Sequence, residues 1–156
     1  MIEIIIPGFR NLQLKHLVLD YNGTLACDGQ LLRGVKEALD ILRDKLHIHM
    51  LTADTFGEAR SGLEGVPCEL SILPEENQDT GKLKYIKRLD LQSTVCIGNG
   101  RNDRLILKEA VLGIAVVQDE GAAIESLLAA EVVCTSIVSA LQLLTNPLRL
   151  VATLRT

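Results

Sequence analysis

Most residues of this sequence that could take part in catalysis or ligand binding come directly after short apolar runs. The first such run ends at Asp20, and the chain then turns through Asn22 and Gly23 to Thr24. A carboxylate displayed at the end of a buried strand can act as a nucleophile or as a ligand of a hard metal ion. Taken alone, the same pattern is equally consistent with a turn in which Asp20 and Asn22 bond to nearby backbone.

Two further candidates lie in the middle of the chain. Thr52 comes directly after an apolar run, where its hydroxyl can hold an anionic oxygen. An alternative at that place is a helix cap formed by Asp54 or Thr55, since both residue types accept bonds from free backbone amides. Lys82 opens a lysine-rich helical segment, which by charge alone indicates a solvated face.

The fourth candidate is a polar loop that follows another apolar run. Its residues are Gly98, Asn99, Gly100, Arg101, Asn102 and Asp103. Such a loop can offer oxygen ligands to a metal or amide donors to a phosphate. Each candidate is modest alone, but their order along the chain is informative, and Asp20, Thr52 and the loop after Gly98 each follow a predicted strand. The carboxyl ends of parallel strands meet at one edge of a sheet, where ligands bind.

The elements that must position these residues alternate along the chain. Predicted strands are 2–6, 14–20, 47–51, 67–73, 94–97, 112–117 and 131–134. Predicted helices are 32–45, 55–63, 77–89, 101–110, 122–130 and 137–144. The first two strands flank the turn at Pro7 and predict an amino-terminal hairpin, while residues 147–156 fit a helix or a strand. The alternation predicts an α/β fold, a doubly wound parallel sheet with helices on both faces.

The composition of the chain limits the classes of protein to which it can belong. A chain of 156 residues predicts one domain, 1–156, and 47% apolar content with 3% aromatic residues suits buried parallel strands. A formal charge of -4 gives no basis for nucleic-acid binding. No apolar run approaches the ~20 residues of a membrane span, and no signal-peptide pattern is present. The four cysteines are widely spaced, which favours reduced thiols and a cytoplasmic location.

The four candidates in this order resemble the signatures of the haloacid dehalogenase (HAD) superfamily. Those signatures are D-x-D-G-T or a variant after a strand, then a Thr or Ser after a strand, then a Lys, then G-D-x-x-x-D. The matching segments are Asp20 to Thr24, Thr52, Lys82, and Gly98 to Asp103, within roughly 14–133. The loop after Gly98 is most similar to that of small soluble proteins related to the phosphorylation domain of P-type ATPases.

The resemblance implies a Mg²⁺-dependent phosphatase or phosphotransferase in which Asp20 forms an aspartyl-phosphate. Asn22 and Lys82 would complete the catalytic set. The phosphoryl group would be bound by Gly23, Thr52, Ala53 and Lys82. The substrate would be a phosphorylated small molecule or macromolecule. No cap domain fits between Thr24 and the next helix, so either a large substrate or the neighbouring subunit of a homo-oligomer would cover the site.

The resemblance also implies a Mg²⁺ site formed by Asp20, Asn22, Asn99 and Asp103, in which Asp103 either supports the metal or orients Lys82. Two departures from the family pattern concern turnover. Asn22 stands where phosphatases carry an acid–base Asp, and Asn99 stands where they carry a metal-binding carboxylate. The alternatives are therefore a slow enzyme with a long-lived phosphoenzyme, or a weak or inactive protein that binds a phosphorylated ligand or a protein partner.

Overall fold

The computed structural model describes residues 1–54 and 57–156, which form a six-stranded parallel sheet between helices, with two short hairpins. The strands are β1 (Ile2–Ile5), β2 (Asn11–Leu14), β3 (His16–Asp20), β4 (Ala26–Cys27), β5 (Gln30–Leu31), β6 (His47–Thr52), β7 (Glu69–Ile72), β8 (Thr94–Gly98), β9 (Leu112–Val116) and β10 (Val132–Cys134). The helices are α1 (Val35–Leu42), α2 (Glu58–Gly62), α3 (Gln78–Leu89), α4 (Arg104–Glu109), α5 (Ile124–Ala129), α6 (Ile137–Thr145) and α7 (Pro147–Leu154).

The central sheet has the strand order β10-β9-β8-β3-β6-β7. From β3 the chain adds β6 and β7 on one side and then crosses to place β8, β9 and β10 on the other. The carboxyl end of β3 is therefore the switch point of the sheet, where the connections on its two sides diverge and leave a crevice. Asp20 is the last residue of β3 and lies at this point.

Both faces of the sheet are covered, as the predicted α/β fold requires. One face carries Leu17 and Met50 and packs against α1 and α6, while the other carries Val18 and Leu51 and packs against α3 and α4. Every residue of β8 and β9 is buried, because parallel strands with helices on both sides have no solvent face. The prediction of an uncapped, doubly wound α/β fold is confirmed.

The amino-terminal hairpin is present, but its second strand differs from the prediction. β1 pairs with β2, so that Ile2 lies opposite Leu14, and the predicted strand 14–20 is divided in two. The physical reason lies at Lys15, where the chain changes partners. Its N–H donates to the Ser93 carbonyl and its carbonyl accepts from the His47 N–H, which directs β3 into the central sheet.

The region between β3 and α1 contains the hairpin β4–β5, where no strand or helix was predicted. Asp28 and Gly29 both have positive φ, of 49° and 77°, as the two central residues of a tight hairpin turn do. The Asp-Gly pair was available in the sequence as a turn indicator. Helix α1 begins at Val35, three residues later than predicted, because Gly34 adopts a left-handed conformation with φ of 86°.

The carboxyl-terminal segment, which the sequence left undecided, forms α7 with Pro147 in its first turn. Within the described ranges no single helix is long and apolar enough to cross a membrane. Helices α6 and α7 meet that criterion only when taken together, and the chain bends by 100° between them. The predicted helix 55–63 is observed from Glu58, while Thr55 lies outside the described residues.

Candidate active site

A buried ion cluster lies at the carboxyl end of β3. The Lys82 Nζ atom is 2.7 Å from Asp20 Oδ1 and 2.6 Å from Asp103 Oδ1. The side chains of Lys82 and Asp103 are fully buried, and that of Asp20 is 11% exposed. Residues from three separate parts of the chain are therefore brought together where the sheet's crevice opens.

Lys82 is part of helix α3, which places its side chain in the cluster. Lys82 and Ile86 stand four residues apart and form its buried face, while Lys84, Lys87 and Arg88 are exposed. The lysine-rich pattern thus describes most of the helix correctly as a solvated face. Lys82 is the exception, because the helix packs over the sheet face that carries Asp20 and its ammonium finds carboxylates there.

The electrostatics of the cluster are unbalanced, since two carboxylates share one ammonium. Burial and the neighbouring Asp103 carboxylate raise the pKa of Asp20 to about 6, although Lys82 opposes this shift. Burial alone would lower the pKa of Lys82, but the two carboxylates outweigh it and raise that pKa. The fully ionised cluster carries one excess negative charge in a buried setting, which favours the arrival of a cation.

The carboxylate of Asp103 has hydrogen-bond partners at both oxygens, two of them backbone N–H groups. Its Oδ2 atom accepts hydrogen bonds from the N–H groups of Asn99 at 3.1 Å and Gly100 at 2.9 Å, while Oδ1 faces Lys82. A Cβ atom at Gly98 would lie only 2.5 Å from Asp103 Cγ, so this approach depends on glycine. With both oxygens engaged, Asp103 is arranged to orient Lys82, and this geometry favours that role over metal ligation.

Thr24 links Asp20 to the loop after β8. Its Oγ1 atom is 3.3 Å from Asp20 Oδ2 and 3.2 Å from Asn99 Oδ1, so these two oxygens converge on one hydroxyl. Asn99 Nδ2 donates to the Gly121 carbonyl at 3.0 Å, which leaves the amide oxygen facing Thr24. A Cβ atom on Gly23, whose φ is +79°, would lie 2.2 Å from Asn99 Nδ2, so glycine is needed there too.

The oxygen donors of Asp20 and Asn99 suit a hard cation, which they would bind with modest affinity. Asp20 Oδ2 and Asn99 Oδ1 are oxygen donors of the kind that Mg²⁺ prefers, and both face the same hydroxyl. The exposed Asn22 lies two residues after Asp20, and the metal role of its backbone carbonyl stays a prediction. Among the described residues no group of three or more His, Cys, Asp or Glu side chains is arranged to hold a metal. The residues fit Mg²⁺, with an amide in place of one carboxylate.

Thr52 is the last residue of β6, the strand next to β3, and Ala53 follows it. Asp20 pairs with Leu51 across the β3–β6 ladder, so Thr52 is one residue further along at the same edge. Thr52 is buried, and its Oγ1 accepts a hydrogen bond from the Asp54 N–H at 3.2 Å. Its role in holding phosphate stays a prediction.

Asp54 performs the helix-capping role considered as an alternative for this segment. Its carboxylate accepts hydrogen bonds from the N–H groups of Ala59 at 2.7 Å and Arg60 at 3.3 Å, in the first turn of α2. The other capping candidate, Thr55, lies outside the described residues.

Two residues at the site were not singled out from the sequence. Asn102 Oδ1 is 3.2 Å from Lys82 Nζ, and its Nδ2 donates to Gln78 Oε1 at 3.0 Å. Gln118 follows β9, and its Nε2 donates to the carbonyls of Gly23 at 3.2 Å and Thr24 at 2.9 Å. Asn102 stands within the polar loop after Gly98, and Gln118 is a polar residue shortly after the apolar strand β9, so both could have been assigned a role.

Comparison with solved structures defines the class of fold. The cobalt-bound deoxy-D-mannose-octulosonate 8-phosphate phosphatase of Haemophilus influenzae superposes with a TM-score of 0.72 at 15% identity, over 92% of this chain and 94% of that one. The HAD family hydrolase of Streptomyces avermitilis gives 0.69 at 16% identity, over 88% and 87%. The Moraxella catarrhalis octulosonate phosphatase with magnesium, phosphate and KDO gives 0.66 at 16% identity, over 92% and 94%. The chain has the uncapped HAD-like fold.

Sequence comparison then gives the family. The chain belongs to the family of the uncharacterized protein MJ0073 of Methanocaldococcus jannaschii, with 42% identity over 83 residues, which are 51% of this chain and 89% of that protein. A second relative, the uncharacterized protein MJ0072 of the same organism, is 51% identical over 39 residues, or 25% of this chain and 89% of that protein. No family model matches the chain.

Proposed function

We propose that this protein is a Mg²⁺-dependent phosphatase or phosphotransferase that works through an aspartyl-phosphate on Asp20. The observation that carries the proposal is the buried contact of Lys82 with Asp20, at 2.7 Å, at the switch point of the sheet. A lysine is rarely buried without a partner, and here Asp103 fixes it against the candidate nucleophile. The HAD phosphatases with the same fold support the reaction class.

The chain's own residues would act by positioning and electrostatics. An oxygen of the Asp20 carboxylate attacks phosphorus, the bond from phosphorus to the leaving oxygen breaks, and that oxygen departs with the electron pair. Lys82, oriented by Asp103, would neutralise charge on the transferring group, with Thr52 and the backbone at Ala53 and Gly23 binding its oxygens. Mg²⁺, held by Asp20, Asn99 and the Asn22 carbonyl, would supply further charge neutralisation when bound.

Asn22 limits both halves of this reaction. An amide can neither protonate a leaving oxygen nor take a proton from the attacking water at neutral pH, and loss of such a group costs roughly 10² to 10⁴ in rate. Substrates whose leaving oxygen needs no proton, such as acyl and aryl phosphates, escape the first limit. The phosphoenzyme would then persist because its hydrolysis lacks a base, in keeping with the resemblance to P-type ATPases.

The open crevice at the site is the basis for the partners that we propose. We propose a phosphorylated small molecule or macromolecule as substrate, in the cytoplasm, with a second subunit covering the site in a homo-oligomer. Between Thr24 and α1 the described chain places only the β4–β5 hairpin, which leaves room for either.

The test is turnover of p-nitrophenyl phosphate and acetyl phosphate by the wild type and Asp20→Asn, with and without Mg²⁺. We expect slow, Mg²⁺-dependent release of phosphate by the wild type and its loss in Asp20→Asn. Acid-quenched mass spectrometry should find a phosphoryl group on Asp20 of the wild type. Equal rates for the two proteins would reject catalysis by Asp20.

A second candidate is a non-catalytic protein that binds a phosphorylated ligand or a protein partner. Asn22 and Asn99 motivate it, because each replaces a carboxylate with an amide. Isothermal titration with Mg²⁺ and beryllofluoride separates the two candidates. Tight joint binding without turnover favours the binding protein, while absence of binding rejects both.

A further inference from the structure

The three histidines of the chain, His16, His47 and His49, lie together at the amino-terminal edge of the central sheet. His47 and His49 are two apart on β6, so they share one face of the strand. His16 lies directly opposite His47 in the β3–β6 ladder. Register and alternation thus place three imidazoles on one face of two neighbouring strands.

Two of these rings approach each other at a distance that suits a metal. His16 Nδ1 is 3.1 Å from His49 Nε2. Two nitrogens bound to one tetrahedral ion stand about 3.3 Å apart, given metal–nitrogen bonds of about 2.0–2.1 Å. The third ring, His47, stacks on His16 with 5.5 Å between ring centroids. A direct hydrogen bond from one ring to the other explains the same 3.1 Å distance without a metal.

The groups that contact the second ring nitrogen of His49 favour the interpretation as a metal site. Its other ring nitrogen, Nδ1, lies 3.0 Å from the Tyr85 hydroxyl and 3.7 Å from Glu69 Oε2. Metal-binding histidines generally hold their second nitrogen against an oxygen group in this way, which fixes the ring and its tautomer. The His49 side chain is only 6% exposed, so its Nε2 is held firmly towards His16.

Room for an ion and its remaining ligands lies next to these rings. An open cavity of about 480 Å³ is lined by all three histidines together with Cys68, Glu69 and Arg43. Arg43 adds positive charge, but its guanidinium is 3.8 Å from Asp40 and half exposed. In the described part of the chain no three donors already surround one point, so the exposed His47 must turn its ring to complete a set.

We propose that His16, His47 and His49 form a binding site for a borderline divalent transition ion of the Zn²⁺ class, separate from the Asp20 site. Imidazole ligands select Zn²⁺, Co²⁺, Ni²⁺ and Cu²⁺ over Mg²⁺. The ion would fasten β3 to β6 at the edge opposite the candidate active site. Tyr85 would link it to α3, the helix that also carries Lys82.

The test is isothermal titration of the reduced protein with Zn²⁺ alone, in the Asp20→Asn background so that the acidic site does not contribute. We expect one equivalent to bind, with affinity at least about tenfold weaker in His16→Asn and His49→Asn, and about tenfold weaker in Tyr85→Phe. His47→Asn should also weaken binding. Cys27→Ser and Cys134→Ser, whose thiols do not line this cavity, are the matched controls and should bind like the parent.

Several outcomes would overturn the proposal. These are no Zn²⁺ binding by the parent, binding that the histidine variants leave unchanged, and binding that is lost in the cysteine variants alone. If His49→Asn does not fold, judged by circular dichroism, the more exposed positions His16 and His47 decide the result. Visible absorption of bound Co²⁺ gives a second readout, since its intensity should fall in His16→Asn.

Discussion

The two ends of one face of the sheet differ in chemistry. β3 begins with His16 and ends with Asp20, about 13 Å apart by strand geometry, and the two residues share a face. At the Asp20 end, carboxylates outnumber the buried ammonium, and loop N–H groups hold Asp103. At the His16 end, neutral rings contact one another. At the carboxyl edge, Lys82 and the loop N–H groups of Asn99 and Gly100 are the partners that allow carboxylates to be buried.

One helix covers both regions. In α3, Lys82 contacts the carboxylates at one end and Tyr85, three residues later, contacts His49 at the other. We therefore expect the two ends of the sheet to differ in their contributions to stability as they differ in chemistry.

Removal of the buried ammonium should have the largest effect. Lys82→Ala leaves two buried carboxylates facing each other without a cation, which should lower the free energy of unfolding by about 3–5 kcal/mol. Urea denaturation at pH 7 measures the change. Lys84→Ala is the matched control, because that lysine is exposed on the same helix, and it should change stability by less than about 0.5 kcal/mol. Equal effects of the two substitutions would contradict the role given to the cluster.

Restoration of the missing acid should raise activity. Asn22→Asp supplies a base for the water that hydrolyses the phosphoenzyme, so turnover of p-nitrophenyl phosphate, whose leaving oxygen needs no proton, should rise by at least about tenfold. The gain should require the nucleophile and disappear in the Asp20→Asn, Asn22→Asp double variant. No gain in the single variant would show that the absent acid does not limit the reaction.

The two carboxylates should respond oppositely to neutralisation. Asp20→Asn relieves the excess negative charge and should stabilise the metal-free protein by about 0.5–2 kcal/mol, as is common when a functional site is relaxed. Asp103→Asn weakens the pairing with Lys82 and disturbs two backbone hydrogen bonds, so it should destabilise by about 1–3 kcal/mol. Thermal unfolding with EDTA compares them, and changes of the same sign would refute the distinction.

The pH dependence of stability should have opposite signs at the two ends. The pKa of Asp20 is raised from 3.8 to about 6, so its contribution to stability is full below pH 3.8 and is lost as pH rises towards 6. Burial lowers the pKa of His16 and His49 below 6.5, so their contribution is full above pH 6.5 and is lost as pH falls. Urea denaturation of the wild type against Asp20→Asn and His49→Asn, without divalent ions, isolates each trend.

Much of this molecule could be predicted from local pattern. The alternation of apolar runs and amphipathic segments determined the α/β fold, because burial on both faces of a parallel sheet requires such runs. It also placed Asp20 and Thr52 at strand ends, since each directly follows an apolar run. Boundaries were less certain wherever a backbone conformation decided them, as at Gly34 and Lys15.

Only the tertiary structure decided which polar groups meet. Lys82 lies 62 residues from Asp20 and 21 from Asp103. Its spacing from Ile86 places it on the buried face of its helix, but that spacing does not say which groups it meets there. The pairing of His16 with His49 likewise spans 33 residues and depends on strand register. Side-chain periodicity is a property of adjacent residues, whereas burial of a charge depends on partners that only packing supplies.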